Sequence, residues 1–354
     1  MKSESTMRLE DTGANRQMLT ARHFLASLLP ATIVLAAGLF AAAPAAQAQS
    51  AVSASAQATY ASPDEALQSL VAAAKDKDRA ALAKLFGPDY DQLLSGDDVE
   101  DNKDLAEFAG AVQESAQLQK VNDNKYTITV GKDNWPTPVP LVQKDGKWLF
   151  DTKAGLEEVI NRRVGENELS AISTCRAYAV AQWEYYTEGD WDHDSVAEYA
   201  QKLISTPGKH DGLFWESAEG ENASPLGKLI AAAYAEGYVS KQEVPAAPGK
   251  GGSDKEQAPF DRAPYHGYYF KILARQGPHA PGGKYGYIIN GNMIAGYALV
   301  AYPDKWGNSG VMTFIINQQG RVYDKNLGPN TAKLASAMTE YDPDPTWKLV
   351  QVQP

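Results

Sequence analysis

The sequence predicts an α+β protein: N-terminal helices and a curled antiparallel sheet, followed by a long helix packed on an antiparallel β-meander. Capped helical segments and then short strands occupy residues 62–151. Residues 168–186 carry apolar side chains at helical spacing. Residues 265–328 form the densest run of strand formers and turn residues in the chain. Together these three observations predict two domains, each with helices beside a sheet.

Length and charge exclude some classes of partner. The chain has 354 residues, which is enough for two domains, and 44% of them are hydrophobic. The net charge is −11, and no block of Lys or Arg interrupts this acidity. Nucleic acid and anionic membrane surfaces are therefore poor partners. The partner itself stays open, and an envelope glycan, peptide or protein is the class that we expect.

The first 48 residues have the pattern of a secretory signal. Arg22 precedes an apolar run at residues 24–43, and Ala46-Gln47-Ala48 provides small residues at a cleavage site. We expect cleavage after Ala48 and a periplasmic or secreted protein that has no membrane span once the signal is removed. An uncleaved transmembrane anchor is the alternative. The alternative start residues are Met1, Met7 and Met18.

Residues 49–164 begin with a lead-in and continue as a first domain. Ala, Ser and Gln dominate residues 49–61, which predicts disorder. Ser62 is placed to cap a helix, further helices are expected at 79–86 and 104–118, and strands follow. The last hairpin turns at Asp145-Gly146 and ends in Trp148-Leu149-Phe150-Asp151. Residues 62–164 resemble a nuclear-transport-factor-2-like or cystatin-like cone, a fold that implies an internal cavity.

Residues 165–354 form the predicted second domain, in which loop insertions occupy about residues 189–256. The helix at 168–186 is expected to cover the meander with a stripe of mostly apolar side chains, interrupted by Gln182. This domain resembles the globular half of type IV pilins and pseudopilins, which implies assembly in the cell envelope. The predicted strands of the meander are residues 268–273, 285–289, 296–302, 311–317 and 321–323.

Several motifs spread over the chain are similar to one bacterial exported family. They are Asn134-Trp135-Pro136-Thr137-Pro138-Val139-Pro140-Leu141-Val142, Trp148-Leu149-Phe150-Asp151-Thr152, Asn161-Arg162-Arg163, Gly267-Tyr268-Tyr269-Phe270, Gln276-Gly277-Pro278, Asn290-Gly291, Gly310-Val311-Met312-Thr313-Phe314 and Tyr341-Asp342-Pro343-Asp344-Pro345. The family is catalogued as domain of unknown function 2950. The resemblance covers nearly all of the chain after residue 48 and implies export, but it implies no activity.

One acidic loop predicts a calcium-like site, and no other cofactor is expected. Acids at alternate positions present oxygen ligands to a cation. An EF-hand would have Gly and Glu where Ser195 and Gln201 stand, so the pattern is partial. An Asp-rich turn that ends the long helix is the alternative. The candidate ligands are Asp190, Asp192, Asp194 and Glu198.

Two other charged segments have two interpretations each. The acidic run from Asp97 to Asp104 is interpreted as a solvated loop, with a cation site as the alternative. Arg162 and Arg163 are interpreted as a tie between the two domains, with binding of a carboxylate or phosphate as the alternative.

A second candidate site lies in the loops of the meander. Residues 276–283 and 304–309 contain glycines, and aromatic side chains flank both loops. We expect His279, Tyr285 and Trp306 to border a shallow site for a polar ligand outside the cytoplasm, such as a glycan or peptide. The alternative is that the glycines only permit the loops to turn.

The residues favour a protein that is not an enzyme. No nucleophile, base and acid occur in a known catalytic pattern, and Cys175 lies on the apolar stripe of the long helix. The function expected is exported and non-catalytic, either ligand binding or envelope-associated assembly. The alternative is a periplasmic hydrolase of envelope polymers that uses acids of the Asp190 loop and a histidine.

Overall fold

The computed structural model describes residues 57–188, 191, 195–217, 223–236, 238 and 264–351. These residues belong to one compact unit, Ser53–Pro354. The signal predicted at residues 1–48 lies outside the described residues. Within the described ranges, no helix combines the length and the apolar character that crossing a membrane requires.

Helices precede a curled antiparallel sheet in the N-terminal module, as predicted. The strand order is β1-β2-β4-β5, and β3 also pairs with β2. All pairings are antiparallel. The elements are α1 Pro63–Lys75, α2 Arg79–Phe86, α3 Tyr90–Leu93, α4 Asp98–Glu114, β1 Ala116–Asn122, β2 Lys125–Val130, β3 Trp135–Pro136, β4 Leu141–Lys144 and β5 Lys147–Phe150.

Short polar side chains set where these helices begin. Ser62 accepts a hydrogen bond from the Glu65 amide at 3.2 Å, as expected for the cap of α1. Asp97 accepts from the amides of Val99 and Glu100, so α4 begins at Asp98 rather than at Asp104. The acidic run is therefore the first part of a helix and not a solvated loop, with acids favoured in its first turn.

Two other expectations for this module differ from the structure. Residues 116–122 form β1, not the end of a helix, because they pair with β2 as a hairpin. The predicted disorder does not hold for residues 57–61, since Tyr60 pairs with Trp148 of β5 and the Gln57 side chain donates to the Leu85 and Phe150 carbonyls. The turn at Asp145-Gly146 is as predicted, with φ of 52° and 77°.

One continuous helix, α5 (Thr152–Glu188), connects the two halves of the chain. It passes without a break through Gly165, where the predicted domain boundary lies. Its first turns pack on the N-terminal module, where Gly155 lies against the backbone of Val139. Its later turns pack against the C-terminal sheet. The halves have separate hydrophobic clusters, and their independent folding stays a prediction.

A five-stranded antiparallel meander forms the centre of the C-terminal module, in the order β14-β13-β12-β11-β6. Its central strands β11 and β12 are almost entirely buried, as their unbroken apolar sequence predicts. The elements are α6 Gly227–Glu236, β6 Tyr268–Leu273, β7 Arg275–Gln276, β8 Tyr285–Gly286, β9 Ile288–Ile289, β10 Asn292–Met293, β11 Ala298–Pro303, β12 Thr313–Asn317, β13 Tyr323–Lys325, α7 Thr331–Ser336 and β14 Lys348–Leu349.

Residues 285–289, predicted as a strand of the meander, lie outside the main sheet. Tyr287 is fully buried and its hydroxyl donates to Gln276 Oε1, which splits the segment into β8 and β9. β8 pairs with β7, and β9 pairs with β10 across the predicted Asn290-Gly291 turn. The fifth strand of the main sheet is instead Lys348–Leu349, a segment too short for its pattern to predict a strand.

The buried stripe of α5 follows helical periodicity. Leu169, an apolar residue within the predicted helix, is 66% exposed, whereas Ala171 is buried. Gln182, the polar interruption of the predicted stripe, forms hydrogen bonds with both the N–H and the C=O of Ala200. Cys175 is buried, as expected. The buried residues of this stripe are Ala171, Thr174, Cys175, Tyr178, Ala181, Gln182 and Tyr185.

Candidate functional site

Two adjoining cavities in the N-terminal module form one funnel. The outer chamber has a volume of about 500 Å³. The inner chamber has a volume of about 210 Å³ and reaches Leu70 and Phe150, which are almost fully buried. The residues that line both chambers are Leu82, Leu93, Phe108, Thr137, Pro138 and Val159.

The inner chamber is apolar. Apart from Thr137, every side chain that lines it is aliphatic or aromatic or belongs to proline. The walls come from both layers of the module, with Leu70 of α1 on one side and Phe150 of β5 on the other. Such a surface can bind the apolar part of a ligand but offers few hydrogen bonds to orient it.

The rim of the outer chamber combines charged and aromatic side chains. Helix α5 contributes Val159, Arg162, Arg163 and Glu166, whose spacing of three and four residues places them on one helix face. Tyr90 and Trp135 are the aromatic residues that line only the outer chamber. The charged residues from other elements are Arg79, Asp101, Asp104 and Glu107.

The three arginines of the rim are bound to other groups of the protein. Arg162 pairs with Glu158 at 2.8 Å, and its guanidinium lies 5.2 Å from the centroid of the Trp135 ring. Arg79 donates to Asn102 Oδ1 at 2.9 Å.

Arg163, which is only 6% exposed, links the two modules through neutral groups. It donates to the Leu93 carbonyl of α3 and, at 2.6 Å, to Asn308 Oδ1 of the loop between β11 and β12. The Asn308 amide in turn donates to the Ser95 carbonyl at 3.3 Å. Of the two arginines expected to tie the halves together, Arg163 is the one that does so, and it uses hydrogen bonds to Leu93 and Asn308.

The carboxylates of the rim are less well partnered than the arginines. Asp101 accepts from the backbone amides of Ser95 and Gly96, at 2.7 and 3.3 Å. Within the described residues, Asp104, Glu107 and Glu166 have neither a hydrogen bond nor an ion pair from their side chains.

These rim carboxylates also repel one another. Desolvation, followed by the charges of Glu166 and Glu107, raises the pKa of Asp104 to about 6. Desolvation and then the charge of Glu107 raise the pKa of Glu166. Among the described residues, four carboxylates line the outer chamber against three arginines, so acidic groups are in excess there and like charges raise the pKa values of Asp104 and Glu166.

Behind the rim, Glu100 is a buried carboxyl group that is 7% exposed. Its Oε2 atom has no hydrogen-bond partner in the structure. Burial, followed by the charges of Asp104 and Asp97, raises its pKa to about 7, although Arg163 acts in the opposite direction. Glu100 is therefore partly protonated near neutral pH.

The structure does not bring His279, Tyr285 and Trp306 together. The Trp306 indole donates to Asn326 Oδ1 at 2.9 Å, beside the Thr313 end of β12. The Tyr285 hydroxyl accepts from Gln318, directly after the Asn317 end of the same strand. The two aromatic residues thus lie near opposite ends of β12.

His279 is held by the C-terminal segment of the chain. Its Nδ1 lies 2.9 Å from Asp342 Oδ2, and its backbone N–H donates to Asp342 Oδ1. The hydrogen bond with Asp342 raises the pKa of the exposed imidazole. This pairing fixes the loop between β7 and β8 in place. Glycan or peptide binding at any one of the three residues stays a prediction.

The calcium-like site is described only in part. Asp190, Asp192 and Asp194 lie outside the described residues. The carboxylate of Glu198 accepts a hydrogen bond from the Met293 amide at 3.1 Å. Among the described residues, no group of three or more His, Cys, Asp or Glu side chains has an arrangement that could hold a metal ion. Calcium binding at the Asp190 loop stays a prediction.

The family of the chain follows from comparison with known proteins. A family model described as "Protein of unknown function (DUF2950)" matches residues 57–350. The chain belongs to the DUF2950 family. No curated protein matches it, and no solved structure does. The likeness to pilins and to nuclear-transport-factor-2-like cones has no support from these comparisons and stays an expectation.

The funnel lies entirely within the part of the chain that the DUF2950 match covers. Its described lining contains no Ser, Cys or His side chain, the types that most often act as nucleophile or base. Residue patterns alone did not assign this site. The resemblance to a cone implied a cavity, but its lining comes from eight helices and strands and the loops beside them, and no local pattern shows that these segments meet.

Proposed function

We propose that this DUF2950 protein is an exported, non-catalytic binding protein that holds the apolar part of a small ligand in the funnel. The observation that carries the proposal is the continuity of the two chambers through six shared lining residues. Export enters the proposal from the signal-like residues 1–48.

Burial of apolar surface supplies the driving force. Each methylene group that leaves water for an apolar site contributes about 0.8 kcal/mol. A ligand that reaches the inner chamber would contact the four residues that line this chamber only, which are Leu70, Phe86, Val139 and Phe150. A ligand confined to the rim would make none of these contacts.

The test is binding of an uncharged apolar dye, N-phenylnaphthylamine, whose fluorescence rises when it leaves water. Val159 lines both chambers, so Val159→Phe should fill the passage between them. We expect the parent protein to bind the dye and Val159→Phe to weaken binding by roughly tenfold or more, because the ring occupies the space of the ligand.

The matched control is Val121→Phe on strand β1, where the side chain is 55% exposed and away from the funnel. It should bind the dye as the parent protein does. Circular dichroism checks that both variants remain folded. Equal dye binding by a folded Val159→Phe variant and the parent protein would contradict the proposal.

A further inference from the structure

We propose that the funnel selects ligands whose apolar body carries a positively charged nitrogen, as in alkylamines and ammonium amphiphiles. This inference rests on the proposed function, since it assumes that the inner chamber binds the apolar body. The inference specifies the charge of the ligand's head group, which would contact the residues of the rim.

All three arginines of the rim already have partners within the protein, and Arg79 donates to Asn102 Oδ1. Arg162 is occupied by Glu158 and by the Trp135 ring. Arg163 is buried and directs its terminal nitrogens to Leu93 and Asn308. Its Nε atom lacks a partner but is itself buried, so a ligand in the outer chamber cannot reach it without a rearrangement.

Three carboxylates from two helices line the same chamber, Asp104 and Glu107 of α4 and Glu166 of α5. The charges of both glutamates raise the pKa of Asp104. The cations that act on Glu166 are Lys103 and Arg162, and they lower its pKa less than desolvation and Glu107 raise it. A cation in the outer chamber would relieve this repulsion.

The acidic side chains lie next to the apolar lining that the two chambers share. Phe108 lines both chambers and follows Glu107 directly on α4, while Val159 and Glu166 lie two turns apart on one face of α5. A molecule with its apolar end among Phe108 and Val159 therefore places its other end beside the carboxylates. Tyr90 adds an aromatic side chain to this chamber, and an aromatic face attracts organic cations.

The experiment compares a straight-chain alkylamine with the fatty acid and the alcohol of equal carbon number, each displacing N-phenylnaphthylamine at pH 7.5. We expect the amine to bind roughly tenfold or more tightly than the acid, and its advantage to shrink at high salt. In the double variant Asp104→Asn, Glu166→Gln, the amine should lose most of that advantage while the alcohol binds as before.

The matched control is Glu157→Gln, an exposed carboxylate on the same helix that does not line the funnel. It should leave the binding of all three compounds unchanged. A fatty acid that binds as tightly as the amine would overturn the inference and leave the proposed function standing. Amine binding unaltered in the folded double variant would overturn it as well. Failure of the dye and of all three compounds to bind would overturn the proposed function itself.

Discussion

Glu100 is a residue whose burial has a consequence for pH dependence. Its pKa rises from the ordinary 4.5 to about 7 in the folded protein. In the unfolded chain the carboxyl group ionises first as pH rises, so the unfolded state binds fewer protons between these two values. The contribution of Glu100 to the free energy of unfolding therefore falls as pH rises from about 4.5 to about 7.

Glu100→Gln should remove this loss, because the amide stays neutral throughout. We compare the free energies of unfolding of the variant and the parent protein at each pH. The difference in favour of the variant should be about 1–3 kcal/mol larger above pH 7 than below pH 4.5. Urea unfolding at a series of pH values measures it. Asp133→Asn, at an exposed carboxylate, is the control. Parallel pH profiles for Glu100→Gln and the parent protein would contradict the prediction.

Gln182 is a polar residue at a buried position of the otherwise mostly apolar stripe of α5. Helical spacing alone does not explain why a polar side chain lies there. The structure supplies the reason, because its carboxamide donates to the Ala200 carbonyl and accepts from the Ala200 amide. A buried backbone outside regular structure must pair its polar groups with something. That partner lies 18 residues away, beyond any local pattern.

At the scale of elements, two glycines of α5 make a matched pair. A Cβ atom at Gly155 would lie 2.6 Å from the Pro138 carbonyl oxygen, whereas one at Gly165 would meet nothing within 4 Å. We expect Gly165→Ala to stabilise the protein by about 0.5–1 kcal/mol, since alanine is the better helix former. Gly155→Ala should destabilise it by about 1–3 kcal/mol through overpacking.

Chemical denaturation of the two single variants measures both effects. Gly110→Ala in α4, where a Cβ atom also meets nothing within 4 Å, should resemble Gly165→Ala. If residue 165 were a hinge between separate helices, alanine there would give no such gain. A loss of stability in Gly165→Ala would therefore contradict the continuous helix.

Sequence patterns predicted most elements of the fold, and the exceptions have physical causes. Helix α2 and strand β6 have their predicted bounds, because each has a clear periodicity and turn residues at its ends. The patterns failed for β1 and β14, which are largely exposed, so that little apolar alternation marks them. They also failed to extend the helix predicted at 168–186 back to Thr152, because a glycine and several charges precede it.

At the scale of the molecule, the candidate site was the hardest part to predict. A cone was expected, yet the funnel residues Arg162 and Arg163 and the acids of the Asp97–Asp104 run were named for binding only as alternatives, since the lining is assembled from side chains distant in sequence. The residues predicted to border a ligand site, His279, Tyr285 and Trp306, are conspicuous in the sequence because they are aromatic or histidine residues in or beside glycine-containing loops. Local composition reveals such loops but does not reveal which of them meet, as Tyr285 and Trp306 illustrate.

Export is a property of the whole molecule, and it stays a prediction. We expect N-terminal sequencing of the protein isolated from the cell envelope to begin at residue 49, because Ala46-Gln47-Ala48 has small residues where signal peptidase requires them. Ala48→Trp should block cleavage and leave a longer protein, while Ala51→Trp, beyond the site, should not. A mature protein that retains residues 24–43 would contradict the prediction.

The continuity of α5 also limits how this chain can change in length. Val159 lines the funnel and Ala171 packs on the C-terminal sheet, and both lie on the same uninterrupted helix. One residue inserted between them would turn the second surface by about 100° and advance it by about 1.5 Å relative to the first. Only insertions of nearly whole helical turns would restore the relative orientation of the two surfaces. We therefore expect shorter and longer versions of this protein to differ in their loops and not between Val159 and Ala171 of α5.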